Sequence, residues 1–199
     1  MRRDLEWNMY TFYAFLNRMK LIQRWNLMRS TVKEDLMQHC AQVAILGQSL
    51  GIIRNEMFGG NVNVDKIASL ALYHDTAEVV SGDFPTTVKY YNDTMKNAYA
   101  EIEEVINDRM LDSLPSQLRS TYENYLKPDE DSIEYKLMKV ADKLAAYVKC
   151  EEEKLLGNKE FDKAHERLEK SLLALREEYP ELGYFLDNFL EGYLESVDV

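Results

Sequence analysis

Four side chains of the types that bind divalent metal ions lie at well-separated points of this 199-residue sequence. They are His39, the adjacent pair His74-Asp75, and Asp142, and each lies in an apolar stretch. An ionised carboxylate in apolar surroundings is costly unless something compensates its lost solvation. A divalent cation does so, and two nitrogen and two oxygen ligands suit Mn, Co, Fe, Zn, Ni or Mg. The pattern therefore predicts a metal site.

Four protein ligands leave two positions open on an octahedral ion. One can hold water and the other a phosphate oxygen, which is what metal-assisted hydrolysis requires. Glu78 follows His74 by four residues and Asp75 by three, so we expect it to share their helix face. Asp83, in the turn that follows, is expected to reach the mouth of the site. We expect Glu78 and Asp83 to be the catalytic carboxyl groups that handle protons, and the sequence leaves open which is the acid and which the base.

Taken one at a time, these residues have ordinary explanations. A His on an apolar face is usually a hydrogen-bonded core residue, Glu78 is near a helix end, and Asp142 next to Lys143 could lie on the surface. The ordered set on three apolar helices is more specific than any one member.

Cys40 is interpreted as a small buried residue, since successive helical residues point about 100° apart. His165, in a charged helix, is assigned no role.

Helices must position these residues, because Gly (8) and Pro (4) are scarce and no alternating strand pattern is found. Helical spacing of apolar residues predicts helices over residues 8–22, 35–53, 64–80, 93–112, 115–128, 129–150, 159–178 and 180–196. Ser132 is a candidate N-cap. The predicted fold class is all-α, a compact bundle of about seven or eight helices that forms one domain over residues 1–199.

The charge balance is acidic, with 24 basic and 35 acidic residues and a net charge of −11. A negative surface argues against binding a nucleic-acid polymer, whereas one metal ion and one or two basic side chains still admit a small anionic substrate. We see no secretory signal and no stretch of membrane-span length. These observations predict a cytoplasmic protein without a membrane partner, whose Cys40 and Cys150 are reduced.

The sequence around these residues resembles the bacterial HD-domain 5′-deoxynucleotidases of the HD superfamily over about residues 10–195. The resemblance is carried by FLNRMKLIQRWNLMR (15–29), FGGNVN (58–63), YHDTAEV (73–79), GDFPT (82–86) and ADKLAAYVKC (141–150). Two segments depart from the family pattern. LMQH (36–39) stands where the family commonly has a Ser-Glu-His-type motif, and the loop after Pro85 lacks a second proline. These two differences bear on fine specificity more than on activity.

The resemblance implies removal of the 5′-phosphate from deoxyribonucleoside 5′-monophosphates, selective against ribonucleotides and relaxed about the base. It also implies one divalent metal ion, typically cobalt or manganese, and a homodimer. Arg24 would orient the phosphate, and Trp25 would leave no room for a 2′-hydroxyl. Glu78 matches the family's acidic catalytic residue. The substrate loop matches Asp83, Phe84, Pro85 and Thr86, with Asp83 a candidate partner of the 3′-hydroxyl.

Two alternatives remain open from the sequence. Other HD proteins hydrolyse nucleoside triphosphates or cyclic nucleotides, although some of these use two metals and more than the three histidines present here. A non-catalytic helical module with a structural metal is the second. A structural site has every metal position filled by protein, whereas mixed oxygen and nitrogen ligands with a spare Glu78 favour an open site.

Overall fold

The computed structural model describes residues 10–89 and 91–195, and over these ranges it contains helices and no β-strand. The α-helices are α1 (Phe12–Leu16), α2 (Leu36–Phe58), α3 (Val64–Tyr73), α4 (Glu78–Ser81), α5 (Thr86–Lys89), α6 (Asp93–Asp112), α7 (Ser116–Leu126), α8 (Ile133–Leu155), α9 (Asp162–Leu175) and α10 (Pro180–Asn188). Short 3₁₀ turns cover Met19–Leu21, Lys159–Phe161 and Glu191–Tyr193. Seven of the described α-helices have nine or more residues, so the predicted all-α bundle is confirmed.

The two longest helices, α2 and α8, form the centre of the bundle. α2 packs against α3, α8 and α10, while α8 also packs against α9. Their contact surface is a continuous apolar core that includes Leu50 of α2, Leu70 of α3 and Leu144 of α8, all at most 1% exposed. Each such side chain stabilises the fold by about 1.5–3 kcal/mol relative to an exposed one. The helices that carry the candidate ligands therefore share one core.

The first turn of α2 is fixed by a capping box. The Asp35 side chain accepts a hydrogen bond from the Gln38 amide (2.9 Å), and the Gln38 side chain accepts one from the Asp35 amide (3.0 Å). Two of the amides without helical partners are thereby satisfied. His39 follows directly and so emerges from a well-defined helix start.

α2 also meets the length and composition of a membrane-spanning helix, with a mean hydropathy of 1.2 over an 18-residue stretch. The expectation that no stretch approaches that length is therefore wrong. It is the one such helix among the residues the structure describes, and 56% of the stretch is buried inside the protein. The central helix of a bundle is apolar on most sides for the same reason, namely burial.

α2 and α3 approach closely because α2 presents two glycines on one face. A Cβ atom on Gly47 would lie 2.9 Å from Ile67 Cγ2, and one on Gly51 would lie 2.8 Å from Ile67 Cδ1. Both distances are shorter than side-chain carbons tolerate. The absence of side chains at these two positions thus sets the distance between the helix that carries His39 and the helix that leads to His74.

The helix predicted over residues 64–80 is interrupted. α3 ends at Tyr73, a turn follows, and α4 begins at Glu78. Thr76 Oγ1 donates to the Tyr73 carbonyl (2.7 Å), and the Thr76 and Glu78 amides bond three residues back. Such local bonds compete with helix continuation. His74 and Asp75 therefore lie in a turn and not inside a helix, and the prediction that Glu78 shares their helix face is wrong.

Three other predicted helices are shorter than expected. Residues 8–22 form α1 and the first 3₁₀ turn, residues 159–178 form the second 3₁₀ turn and α9, and residues 180–196 form α10 and the third turn. Residues 8, 9 and 196 lie outside the described ranges. Ser132 caps α8 as predicted, its side chain accepting from the Tyr135 amide.

Candidate active site

The structure brings all four predicted metal ligands to one point. His39 comes from α2, His74 and Asp75 from the turn after α3, and Asp142 from α8. His39 Nε2 lies 3.1 Å from Asp142 Oδ1 and 3.9 Å from Asp75 Oδ2. His74 Nε2 lies 3.1 Å from Asp75 Oδ2 and 3.8 Å from Asp142 Oδ1. Ligand atoms this close together, from three separate elements, are arranged as a metal site requires.

The residues of this cluster fit a divalent cation. His74 Nδ1 donates to the Ala71 carbonyl at 2.7 Å, which leaves the lone pair of Nε2 facing the cluster. That Nε2 atom is buried and lacks a partner in hydrogen-bond geometry. An imidazole oriented through one nitrogen, with the other free, is the usual state of a metal-binding histidine. His39, His74 and Asp142 supply ligand atoms that all lie within 4.8 Å of one another.

The cluster holds both carboxylates in their ionised, ligating form. Burial alone would raise the pKa of Asp75, but the neighbouring His74 lowers it below its ordinary value. Burial likewise opposes ionisation of Asp142, whereas the ammonium of Lys139, 3.3 Å from Asp142 Oδ2, lowers its pKa. Burial would lower the pKa of His74, but the Asp75 carboxylate raises it. Ionised carboxylates are the form that binds a cation.

Arg24 and Trp25 reach the cluster from a loop that closes on itself before α2. The Arg24 amide donates to the Glu34 carbonyl (3.0 Å), and the Leu36 amide donates to the Ile22 carbonyl (2.9 Å). Arg24 Nη1 lies 3.4 Å from Asp75 Oδ2, so its guanidinium is directed at the cluster. Trp25 has a φ of 60°, a left-handed conformation that is rare for a bulky residue and is often found at functional sites.

The same loop is fastened to α8 by the buried carboxylate of Glu153. It accepts hydrogen bonds from the Thr31 amide (2.8 Å) and the Val32 amide (3.0 Å). It also accepts from Lys149 Nζ (2.6 Å) and from Asn158 Nδ2 (2.7 Å). Glu153 and Lys149 are 0% and 3% exposed. The loop that carries Arg24 and Trp25 is thus joined to the helix that carries Asp142.

Glu34 is a residue of the site that sequence reasoning missed. Its carboxylate accepts a hydrogen bond from Trp25 Nε1 (2.8 Å) and lies 3.5 Å from His39 Nδ1 and 3.8 Å from Arg24 Nε. Burial alone would raise the pKa of Glu34, but His39 and Arg24 hold it below its ordinary value. Its sequence position, five residues before His39, carried no recognised signal, because the contact arises from closure of the loop.

A pocket of about 550 Å³ opens next to the cluster. Its walls include the predicted residues Arg24, Trp25, Asp75, Glu78, Asp83, Phe84, Pro85 and Asp142. Thr86 begins α5, and its side chain lies outside what the structure describes. Basic residues that were not anticipated also line the pocket: Lys89, Lys139, Lys143 and Arg167. An acidic protein therefore offers a cavity with several positive side chains, suited to an anion.

Glu78 and Asp83 face this pocket as carboxyl groups with altered acidity. Burial, together with the charges of Asp75 and Asp83, raises the pKa of Glu78 to about 9. Glu78 is 5% exposed, and its Oε2 atom lacks a hydrogen-bond partner. Burial also raises the pKa of Asp83. A carboxyl group that retains its proton can donate it to a leaving group.

The remaining predicted features lie outside the pocket. Cys40 is 1% exposed, in agreement with its interpretation as a small buried residue. His165 is buried beside Glu151, with 2.7 Å between His165 Nε2 and Glu151 Oε1. It belongs to a contact between α8 and α9 and has no place in the cluster.

Comparison with known proteins decides the family. A model of the "5′-deoxynucleotidase YfbR-like" family matches residues 11–193. The chain belongs to this family of 5′-deoxynucleotidases. A 5′-deoxynucleotidase of Photorhabdus temperata is 42% identical over 188 residues, covering 94% of each chain. One of Vibrio cholerae is 43% identical over 193 residues, covering 94% of this chain and 96% of that protein. The family predicted from the motifs is confirmed.

Solved structures share the fold of this 5′-deoxynucleotidase. An HD-domain phosphohydrolase of Listeria innocua superimposes with a TM-score of 0.82 at 23% identity, covering 94% of this chain and 90% of that one. A cyanophage S-2L HD phosphohydrolase, bound to dA and one catalytic Zn²⁺ ion, gives a TM-score of 0.62 at 17% identity, covering 90% and 96%. At these identities the likeness concerns the fold, which is that of the HD-domain phosphohydrolases.

Proposed function

We propose that this member of the 5′-deoxynucleotidase family removes the 5′-phosphate from deoxyribonucleoside 5′-monophosphates with one divalent transition-metal ion, such as Co or Mn, held by His39, His74, Asp75 and Asp142. The observation that supports this most strongly is the convergence of these four side chains next to a pocket of about 550 Å³, whose wall includes Asp75 and Asp142. That volume lies within the usual range of small-molecule sites, about 300–1,000 Å³.

When bound, the cation supplies Lewis acidity, which polarises a phosphoryl oxygen and makes water a stronger acid. Arg24 binds the phosphoryl oxygens and stabilises the charge that grows on them in the transition state. Its guanidinium is held between Asp75 (3.4 Å) and Glu34 (3.8 Å), so its orientation is set before substrate arrives. Lys139, paired with Asp142, adds positive charge to the pocket wall.

Glu78 is proposed to handle the proton. Water adds to phosphorus while the bond to the 5′-oxygen breaks, and that oxygen must gain a proton to leave as a deoxynucleoside. Glu78 lines the pocket close to Asp75 in the chain and has an unpaired carboxyl oxygen, so it can donate this proton. Asp83, on the same pocket wall, is proposed to accept a hydrogen bond from the 3′-hydroxyl.

Selectivity is proposed to arise from the pocket walls. Trp25 would occupy the space that a 2′-hydroxyl needs. Leu27, Met28 and Phe84 offer apolar contact to the base and no specific hydrogen-bond pattern, which suits relaxed base preference. Pro85 and Thr86 complete the proposed substrate loop.

A homodimer, a cytoplasmic location and one domain over residues 1–199 are also part of the proposal. α2 exposes the apolar side chains of Ile45 (66%) and Ile52 (47%), which a second copy could cover. Phe185 of α10 belongs to the core at 5% exposure, whereas Phe189, the residue after this helix, is 48% exposed and available for contact. Light scattering of the purified protein at several concentrations measures the oligomeric state directly.

The experiment that tests the function measures phosphate release from each 5′-deoxyribo- and ribonucleoside monophosphate. The protein is stripped of metal and reloaded with Co, Mn, Mg or Zn. We expect metal-dependent turnover that favours the deoxy series. Asp75→Asn should lose both metal binding and turnover. Glu78→Gln should keep metal binding while kcat falls by about 10²–10⁴-fold, the usual contribution of a proton donor.

Absence of phosphate release with every metal would contradict the proposed reaction. Triphosphates and cyclic nucleotides, tested in parallel, would then identify another HD hydrolase activity. Full turnover by Glu78→Gln would instead remove Glu78 from the mechanism and leave the metal site standing.

A further inference from the structure

Glu34 is a carboxylate that touches three residues of the proposed site at once. One oxygen, Oε2, accepts from Trp25 Nε1 at 2.8 Å and lies 3.8 Å from Arg24 Nε. The other, Oε1, lies 3.5 Å from His39 Nδ1. Only 10% of the Glu34 side chain is exposed, and His39 is fully buried. The proposed mechanism gives Glu34 no direct part.

We propose that Glu34 is a positioning residue that fixes the tautomer of His39 and the orientation of Trp25 together. Metal affinity and the exclusion of ribose then depend on one side chain. This inference rests on the proposed function, because it requires His39 to bind the metal and Trp25 to face the sugar.

The two ring nitrogens of His39 have different tasks, and these tasks determine its tautomer. A neutral imidazole carries one N–H, and the nitrogen that binds a metal must be the other one. Nε2 lies on the side of the cluster, 3.1 Å from Asp142 Oδ1, so when Nε2 binds the metal the proton must reside on Nδ1. Glu34 Oε1 lies 3.5 Å from Nδ1, which has no partner in hydrogen-bond geometry, and is the acceptor that this N–H would reach. In His74 the Ala71 carbonyl performs the same task at 2.7 Å.

Trp25 is the second residue that Glu34 orients. Its left-handed backbone, with φ at 60°, persists only where the surroundings impose it. The indole N–H donates to Glu34, and the ring packs on Phe161 with 5.2 Å between ring centroids. In the main chain, the Arg24 amide also donates to the Glu34 carbonyl at 3.0 Å, which holds the two ends of the loop side by side. Glu34 therefore holds the side chain whose position decides how much room the sugar has.

Glu34→Gln separates this role from simple packing. Trp25 Nε1 and His39 Nδ1 are both donors in the proposed state, and a carboxylate offers an acceptor oxygen to each. An amide of the same shape has one oxygen and one NH₂ group, so it can accept from only one of them. If the NH₂ group faces His39, it favours the tautomer that carries its proton on Nε2, where the metal must bind.

The test compares Glu34→Gln with Trp25→Phe, which removes the indole donor and leaves the Glu34–His39 contact. Metal affinity is measured by calorimetry with Co²⁺. We expect Glu34→Gln to bind Co²⁺ about 10–100-fold more weakly, as is typical when an outer partner of a ligand is lost, and to discriminate less between deoxyribo- and ribonucleotides. Trp25→Phe should keep the metal affinity of the wild type. Equal Co²⁺ affinity of Glu34→Gln and wild type would overturn the inference.

A second measurement needs no variant. Long-range ¹H–¹⁵N spectra of the Zn²⁺-loaded wild-type protein report the protonated nitrogen of each of its three histidines. We expect His39 to carry its proton on Nδ1, and a proton on Nε2 would refute the role of Glu34.

The variant His39→Gln distinguishes failure of the proposed metal site from failure of the role proposed for Glu34. If it binds Co²⁺ like the wild type, the metal site itself fails; if it loses Co²⁺ while Glu34→Gln does not, only the present inference fails.

Discussion

Trp25 carries the one positive φ among the described residues other than glycine. A bulky residue in this region costs about 1–3 kcal/mol, and the cost is tolerated mainly at sites that need a particular side-chain direction. Here the side chain enters the wall of the pocket while its indole N–H remains bonded to Glu34. The strained backbone of Trp25 therefore accompanies the placement of its ring in the pocket wall.

Replacing this ring tests the steric exclusion of ribose. Trp25→Ala should reduce the ratio of kcat/KM for deoxyadenosine over adenosine 5′-monophosphate, because the wall that must move to admit one oxygen contributes about 1–3 kcal/mol. Leu27→Ala is the matched control, since Leu27 lines the same pocket but is 75% exposed. A Trp25→Ala enzyme with an undiminished ratio would show that the discrimination lies elsewhere.

The contact between α2 and α3 depends on two glycines that meet the same isoleucine with different atoms. Gly47 faces Ile67 Cγ2, which is close to the backbone, whereas Gly51 faces Cδ1, the far end of the side chain. The methyl at Cδ1 can rotate away from an added Cβ, but the one at Cγ2 moves only if the helices separate. The two sites should therefore respond differently to the same substitution.

Gly47→Ala should lower the free energy of unfolding, because an overpacking cost of about 1–3 kcal/mol exceeds the gain of up to about 1 kcal/mol in helix propensity. Adding Ile67→Val, which removes only Cδ1, should reduce the cost of Gly51→Ala and leave that of Gly47→Ala unchanged. Urea denaturation of Gly47→Ala, Gly51→Ala, Ile67→Val and the two double variants gives the coupling energies. Equal coupling at both glycines would mean that the helices shift as a unit.

The elements differ in how far the sequence could predict them. The long helices were predictable, because apolar residues recur at helical spacing and Asp93–Asp112 begins and ends as expected. The break after Tyr73 was not, since it depends on a hydrogen bond from Thr76 that competes locally with an otherwise helical pattern. The four proposed ligands were predicted from residue type and context, and the structure brings them together. Glu34 was missed because its contacts exist only once a loop of irregular structure has closed.

At the scale of the whole molecule, the buried pair of Glu153 and Lys149 links the bundle to the loop before α2. Burial alone would raise the pKa of Glu153, but hydrogen bonds from Lys149, Asn158 and two backbone amides lower it to about 2. A carboxyl whose pKa is lower in the folded state binds a proton on unfolding. Its contribution to stability is present above its unfolded pKa, about 4.3, and is lost as the pH falls towards 2.

Glu153→Gln should therefore destabilise the protein most at neutral pH. It leaves the Lys149 ammonium buried without a counter-charge, and breaking a buried pair in this way costs about 3–5 kcal/mol. The difference from wild type in urea midpoint should shrink between pH 4.5 and pH 2. Glu166→Gln, an equal change of charge at an exposed position, is the control. A difference that stays constant across this pH range would exclude Glu153 as the titrating group.

The Glu153 carboxylate also affects the local unfolding that allows amide hydrogens to exchange. Thr31 and Val32 lie in a segment without regular secondary structure, where amide hydrogens normally exchange with deuterium within seconds. Their amides are bonded to Glu153 inside the bundle, so they can exchange only when α8 releases the loop. We expect their exchange to match that of the α8 interior. The segment proposed to recognise substrate would then belong to the same cooperative unit as the helix bearing Asp142, and warming would abolish recognition and fold together.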